Sequence, residues 1–295
     1  GNQPLLNAEL KGLLINSGTC GESATWELSE DFSVLTISGT GAVDRSPWSN
    51  ASGYIEKVIV EEGITRLAGY ALYGLDVVTE ISLPSTLTEV GVNCFYFNPR
   101  LETIELPAGL TSIGKNAFSG CSSLTSISIP DSVTSIGANP FTACINLTSI
   151  KVSPDHPTLA IIDGVLFDKT EKRLVCYSCA FKESSYAIPQ GIRIIDDEAF
   201  AGCEFLTSIS IPDSVTSIGD YAFNNCTALT DIYLPHSVPK IGSAAFGYCT
   251  SLTEIAIPEG VSSIGAVAFA KCSSLTKVIM PDSITGIDPE VFIDC

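Results

Sequence analysis

A β-solenoid, mainly β with short helical or 3-10 turns and closed at its N-terminus by a β-hairpin, is the fold class this sequence predicts. Three observations predict it. A phrase of 23 residues recurs through most of the 295-residue chain. Inside each phrase apolar residues alternate with the two-residue period of a strand. Proline and glycine stand at fixed places between the alternating runs and punctuate them. A fixed period of this length marks a stacked array, because one short unit cannot bury its own apolar face and must lean on the next.

Taken in order, residues 1–17 fall outside the period and are expected to be a leader or linker. They carry neither a basic start nor the apolar core of an export signal, so such a signal is expected to have been removed or never present. Residues 18–54 are assigned to the hairpin cap. "ATWEL" and "VLTIS" are its strands around the polar "SEDFS", both tryptophans (Trp26 and Trp48) fall in it, and the "GTG" of "SGTGA" reads as a turn.

From Ile55 to Cys295 the solenoid follows. Prolines recur at Pro84, Pro107 and Pro130 and again at Pro189, Pro212, Pro235, Pro258 and Pro281. Phenylalanine holds one slot at the same step, from Phe95 to Phe141 and from Phe200 to Phe292, and cysteine holds another, at Cys121 and Cys144 and from Cys203 to Cys295. Within "LTSISIP", Ile127 and Ile129 point to one side while Thr125, Ser126 and Ser128 point elsewhere. Pro130 then ends the strand, having no amide hydrogen for a ladder. "VTSIG" is a second short strand closed by glycine, so each coil reads as strand, turn, strand, turn.

The array is interrupted at residues 147–182, where the proline spacing widens to 59, two periods plus 13. "GVLFDKTEKRLVCY" places Val165–Phe167 and Leu174–Tyr177 about a charged tip and predicts a 13-residue hairpin insertion projecting from the solenoid edge. The last coil stops mid-unit at Cys295 and is expected either to be its own cap or to lead into a further segment.

The segments "IGKNAFSGCSSLTSISIP", "IGDYAFNNCTALTDIYLP" and "IGAVAFAKCSSLTKVIMP" resemble the BspA-like, treponemal-type leucine-rich repeat family over residues 55–295. The resemblance implies a curved, right-handed leucine-rich repeat solenoid with a strand-lined concave face. It also implies a secreted or surface-attached protein of a host-associated microbe, with adhesion to host matrix or cells. Leu72 stands in the phenylalanine slot, Leu75 and Asn98 in the cysteine slot, and Glu183 in place of the leading leucine.

Composition narrows the function. Against 33 acids there are 15 bases, a formal charge of −18, which repels phosphate backbones and argues against nucleic acid as a partner. No apolar run is long enough for a membrane helix. There is no G-x-S-x-G, phosphate loop or H-E-x-x-H, and the acidic clusters lack the ligand spacing of a calcium loop. His156 and His236 sit in turn sequences and are expected to be solvated. No catalytic residue, cofactor or metal is expected.

The eleven cysteines raise metal and disulfide readings. Neighbouring slots leave the stack in parallel, which suits a bridge poorly. A slot that also accepts Leu75, Asn98 and Ala180 calls for a small buried group, so buried thiols are expected. "CYSC", Cys176 to Cys179, has redox or zinc spacing but lacks a second pair; a local disulfide or plain packing is the reading there.

The informative columns are those that flank the buried strand isoleucines and face out. One reads Ile59, Ser82, Glu105, Ser128, Lys151, Ser210, Tyr233, Ala256, Ile279; its neighbour reads Lys57, Glu80, Thr103, Ser126, Ser149, Ser208, Asp231, Glu254, Lys277. They change charge and size from coil to coil on an invariant scaffold, as a binding surface does, or as unconstrained solvent positions do. The candidate ligand residues are Tyr233, Asp231, Glu105, Lys151, Glu254 and Glu80. The partner expected is a host extracellular-matrix or cell-surface protein or glycan. The alternative is a structural spacer with no ligand of its own.

Overall fold

The computed structural model describes residues 15–295. The expected leader therefore lies largely outside the described residues, and its last residue, Ser17, already begins a strand, Ser17–Thr19. The chain divides into two compact units, one ending at Pro157 and the other running from Thr158 to Cys295. Each is a stretch of β-solenoid with a 23-residue step, shown by parallel registers such as Lys57↔Glu80 in the first and Ser208↔Asp231 in the second.

The first unit opens with the expected hairpin, Ser23–Leu28 against Val34–Val43. Asp31 fixes its turn: one carboxylate oxygen accepts from the Ser29 hydroxyl at 2.6 Å and from the Ser33 hydroxyl at 2.8 Å. One feature differs from expectation. The "GTG" is no turn, because Gly39 and Gly41 lie inside the strand Val34–Val43 with φ of 96° and 80°. There the strand bends so that Val34–Ile37 pairs with Lys57–Val60 and Gly41–Val43 with Ile64–Leu67. A side chain at Gly39 would bring its Cβ within 2.2 Å of the Ser23 carbonyl oxygen. The cap strand is thus itself the first rung of both ladders. Trp26 and Trp48 pack edge to face beneath it, centroids 5.8 Å apart.

Each later coil has three sides. The first, in every later coil but that of Thr103–Glu105, is a short strand, such as Ser126–Ser128 or Asp231–Tyr233, buried only at its central isoleucine. The proline after it starts a turn in which its carbonyl accepts from the residue three along, as Val133 N–H to Pro130 at 3.1 Å and Val215 N–H to Pro212 at 3.0 Å. The second side is a two-residue strand, such as Ser217–Ile218, paired in parallel with its neighbours. The third side, from the glycine to the next leucine, is irregular by turn type yet laddered from coil to coil. Slot phenylalanine amides donate to a carbonyl one coil on, Phe223 to Ala245 and Phe246 to Ala268 at 2.8 Å each, whereas that of Phe141 donates to Asn139 Oδ1 at 3.1 Å. Two residues per coil take left-handed backbone here, as Tyr221 and Asn225 (φ 57° and 59°) or Ala244 and Tyr248 (51° and 60°). Alternating hydropathy carries no signal for this third side.

The core is a set of columns. In the second unit Tyr177, Phe200, Phe223, Phe246, Phe269 and Phe292 stack successively, with neighbouring centroids 5.0–5.5 Å apart. In the first, Phe95, Phe118 and Phe141 do the same at 5.0 and 5.6 Å. Tyr177, expected at the end of a hairpin strand, therefore fills the phenylalanine slot of its own coil.

The predicted hairpin forms, Val165–Asp168 against Arg173–Cys176, but it does not project. Every residue of Val165–Asp168 is buried, and Arg173–Leu174 continues in parallel register into Ile194–Ile195. The strand Leu159–Ile162 covers its other edge. It heads the second unit as the Ser23–Val43 hairpin heads the first. The reason is visible in the sequence: both hairpin strands are apolar on both faces, and a two-sided apolar strand is buried rather than displayed. At its corner Arg173 meets Asp196 at 2.6 Å, Glu171 at 2.6 Å and Asp168 at 3.4 Å.

Candidate functional site

The outward columns of the short strands are exposed as expected. Tyr233 is 59% exposed, and Asp231 shares its strand two residues away, on the same side of the pleat. Glu254 follows on Glu254–Ala256 and is held by Lys277 of the next coil at 3.2 Å. In the first unit Glu80 pairs with Lys57 at 2.7 Å, Glu105 is exposed, and Lys151 ends the strand Ser149–Lys151 opposite Ser128. The six candidates thus fall into two groups, Glu80, Glu105 and Lys151 in one unit and Asp231, Tyr233 and Glu254 in the other. Two of the carboxylates are already engaged by lysines within the face.

The strand face is not continuous in either unit. Thr103–Glu105 forms no strand, although Leu101 and Ile104 are buried and Glu102, Thr103 and Glu105 exposed in the expected alternation. Alternation fixes which side chains face in; it does not fix how close one coil lies to the next. Clefts of about 260 and 410 Å³ open on the two sides of this segment, one toward Glu80–Leu83 and the other toward Ser126–Ser128. Glu105 borders both. In the second unit the sheet of Ser185–Ala187, Ser208–Ser210 and Asp231–Tyr233 ends at Tyr233, and Glu254–Ala256 pairs with Lys277–Ile279 in a separate sheet.

Among the described residues no three His, Cys, Asp or Glu side chains come together to hold a metal ion, and no helix is long and apolar enough to cross a membrane. His236 is exposed, with Nδ1 3.3 Å from the Glu259 carbonyl oxygen. His156 departs from expectation. It is fully buried, with Nε2 3.1 Å from the Pro130 carbonyl oxygen. The proline-flanked "SPDHP" folds its ring inward, onto a carbonyl that also accepts from the Val133 amide.

An aromatic cluster on the third side of the first unit escaped the sequence reading. Tyr70, Tyr73, Tyr96 and Phe97 lie on two adjacent coils and stay 40–50% exposed. Their rings touch: Tyr70–Tyr73 centroids are 5.7 Å apart, and Tyr70–Tyr96 and Tyr96–Phe97 are 6.3 Å apart. The signal was present in "GYALYGL" and "NCFYFNP", but only the fold brings these two stretches side by side.

The family model for the BspA-type leucine-rich repeat region matches residues 48–173 and 170–295. The chain belongs to the BspA-type leucine-rich repeat family. A leucine-rich cell surface protein from Faecalibacterium prausnitzii A2-165 is similar to it, 28% identical over 96% of this chain and 93% of that one, with a TM-score of 0.70. A leucine-rich repeat protein from Eubacterium ventriosum (23% identical, TM-score 0.72, 94% of both chains) shares the fold. So does the pneumococcal vaccine antigen PcpA (20% identical, TM-score 0.66, 93% of this chain and 89% of that one). A search of curated proteins finds no match.

In these BspA-type coils the cysteine slot has a definite task. Each thiol donates to the main-chain carbonyl 26 residues back, in the phenylalanine slot of the preceding coil: Cys121 to Phe95 at 3.3 Å, Cys144 to Phe118 at 3.1 Å, Cys226 to Phe200 at 3.2 Å, Cys272 to Phe246 at 3.1 Å. Asn98 does the same with its carboxamide, Nδ2 to the Leu72 carbonyl at 2.9 Å, while its Oδ1 accepts from the Leu75 amide. Where the slot holds Cys or Asn it supplies a buried donor, and Leu75 and Ala180 fill it without one. Burial pushes the Cys121, Cys226 and Cys272 thiols up to about 12, so they stay protonated and can donate.

Proposed function

We propose that this BspA-type array is a non-enzymatic recognition protein of the cell surface or extracellular space, adhesive toward a host protein or glycan through its exposed strand face. The observation that carries the reading is the contrast between columns in register. Buried positions repeat as Ile209, Ile232 and Ile255, whereas the exposed positions beside them change from Ser208 to Asp231 to Glu254 and from Ser210 to Tyr233 to Ala256. A rigid frame with a freely varied surface suits recognition, and a Tyr on a fixed strand suits an interface anchor. The surface placement is supported by the cell surface protein from F. prausnitzii.

The test is solid-phase binding of immobilised matrix proteins and cells to the full chain and to a variant carrying Tyr233→Ala, Asp231→Ala and Glu105→Ala. At least a tenfold loss of retention is expected; unchanged retention counts against the strand face. One observation favours the spacer reading. The ion pairs Lys57–Glu80 and Lys277–Glu254 satisfy charges of the face within the face itself, and a spacer would bind none of these ligands with or without the substitutions.

A further inference from the structure

We infer that the aromatic cluster of the first unit, Tyr70, Tyr73, Tyr96 and Phe97, is a binding site for neutral polysaccharide; this rests on the recognition reading but places a ligand on a different side of the coil. The fold does not need these rings. The stacked core column is filled by Phe95 and Phe118, and the slots of Tyr73 and Tyr96 hold Ser119 and Thr142 in the next coils, where the ladder continues unchanged. Nor does the coil need Phe97. Its slot is left-handed throughout the array and is held elsewhere by Gly74, Gly120, Ala143, Asn225 and Lys271, yet here it carries a phenylalanine that stays 50% exposed.

The cluster is also set in advance. The amide of Tyr70 donates to the Val92 carbonyl at 3.1 Å, that of Tyr96 to Asn93 at 3.1 Å, and that of Phe97 to Ser119 at 2.7 Å. The Asn93 carboxamide donates to the Tyr70 hydroxyl at 2.8 Å. That bond leaves the phenol proton of Tyr70 and the carboxamide oxygen of Asn93 for a ligand's hydroxyl groups. Ring contact and these bonds hold the side chains without a partner, so little entropy remains to be lost on binding.

Charge selects the ligand class. A formal charge of −18 repels polyanions, whereas the cluster itself is built of three phenols, a phenyl ring and a carboxamide, with no charged group among them. Exposed aromatic faces beside amide and hydroxyl groups match a sugar ring, which offers a C–H face to the aromatic and a rim of neutral hydroxyls. A basic protein segment would find its carboxylates elsewhere on the chain.

The full chain is run through native gels cast with neutral polysaccharides (galactomannan, mannan, hydroxyethylcellulose, laminarin) and, separately, with heparin. Retardation by at least one neutral polymer is expected, with at least a tenfold weaker affinity in Tyr73→Ser/Tyr96→Ser and in Phe97→Gly. Each substitution installs a residue type found in the matching slot of a neighbouring coil, and an unshifted Tm reports folding. Tyr233→Ala/Asp231→Ala retains the retardation. The proposal is overturned by retardation with heparin alone, by none with any neutral polymer, by retardation that survives the aromatic substitutions, or by an aromatic patch that captures a protein but no glycan. Loss of retardation in the strand-face variant alone overturns this site and leaves the recognition reading standing.

Discussion

At the residue scale the cysteine slot carries the clearest consequence. The Phe200 carbonyl accepts twice, from the Cys203 amide at 3.1 Å and from the Cys226 thiol at 3.2 Å. Cys226→Ala removes the second donor without orphaning the carbonyl and is expected to destabilise the protein by about 1 kcal/mol, and Cys226→Ser, which keeps a donor, by less, as measured by denaturant unfolding. A thiol held near 12 is almost never thiolate at neutral pH. Iodoacetamide should label the exposed Cys295 in the native protein and leave Cys226 untouched until the chain unfolds. Asp196 gives a pH test. Burial pushes its carboxyl up to about 6 from 3.8, against the pull of Arg173. The native state thus holds this proton more tightly than the unfolded chain. The stability contributed by the group is present below 3.8 and is lost as the pH rises through about 6. Asp196→Asn is expected to flatten that part of the stability profile, and a carboxyl resonance titrating near 4 in the native protein would contradict it.

Elements in this molecule are defined by their neighbours. A strand such as Ser217–Ile218 is two residues long and could not persist alone; its bonds run to Ile194–Ile195 and Lys240–Ile241. Phe223→Ala removes a ring stacked on both sides at 5.0 and 5.1 Å and is expected to cost about 3–5 kcal/mol. Nearest-neighbour coupling adds a spatial expectation. Hydrogen exchange should accelerate most in the coils of Phe200, Phe223 and Phe246, and an effect confined to the substituted coil would contradict the stacked account. The phenylalanine, proline and cysteine columns were legible in the sequence because identity at a fixed step survives without coordinates. The long bent strand through Gly39 was not, since "GTG" has the composition of a turn and only pairing to two later strands shows otherwise. The hairpin at Val165–Cys176 was legible as a hairpin, and its apolar strands carried the signal for burial, but its charged tip suggested display.

For the whole molecule, charge is the global property. With 33 acids against 15 bases, the native state repels itself, so raising NaCl from about 10 to about 200 mM, which shortens the screening length several-fold, is expected to raise the Tm. A fall in Tm would show that the ion pairs at Lys57, Arg173 and Lys277 outweigh the repulsion. The candidate site divides along the same line between local and global. Exposure of Tyr233, Asp231 and Glu105 followed from alternation, which fixes the facing of each side chain. The openings beside Glu105 and the break after Tyr233 did not, because coil-to-coil separation is set by three-dimensional packing. By itself the sequence determined the 23-residue step, the inward columns and the strand-bearing face, since these are properties of one coil repeated. Tertiary structure alone decided the third-side ladder with its left-handed residues, the burial of His156, the donor role of the cysteines and the meeting of Tyr70 with Tyr96. Each of these depends on atoms more than 20 residues apart in sequence, where only the stacking of one coil on another supplies the partner.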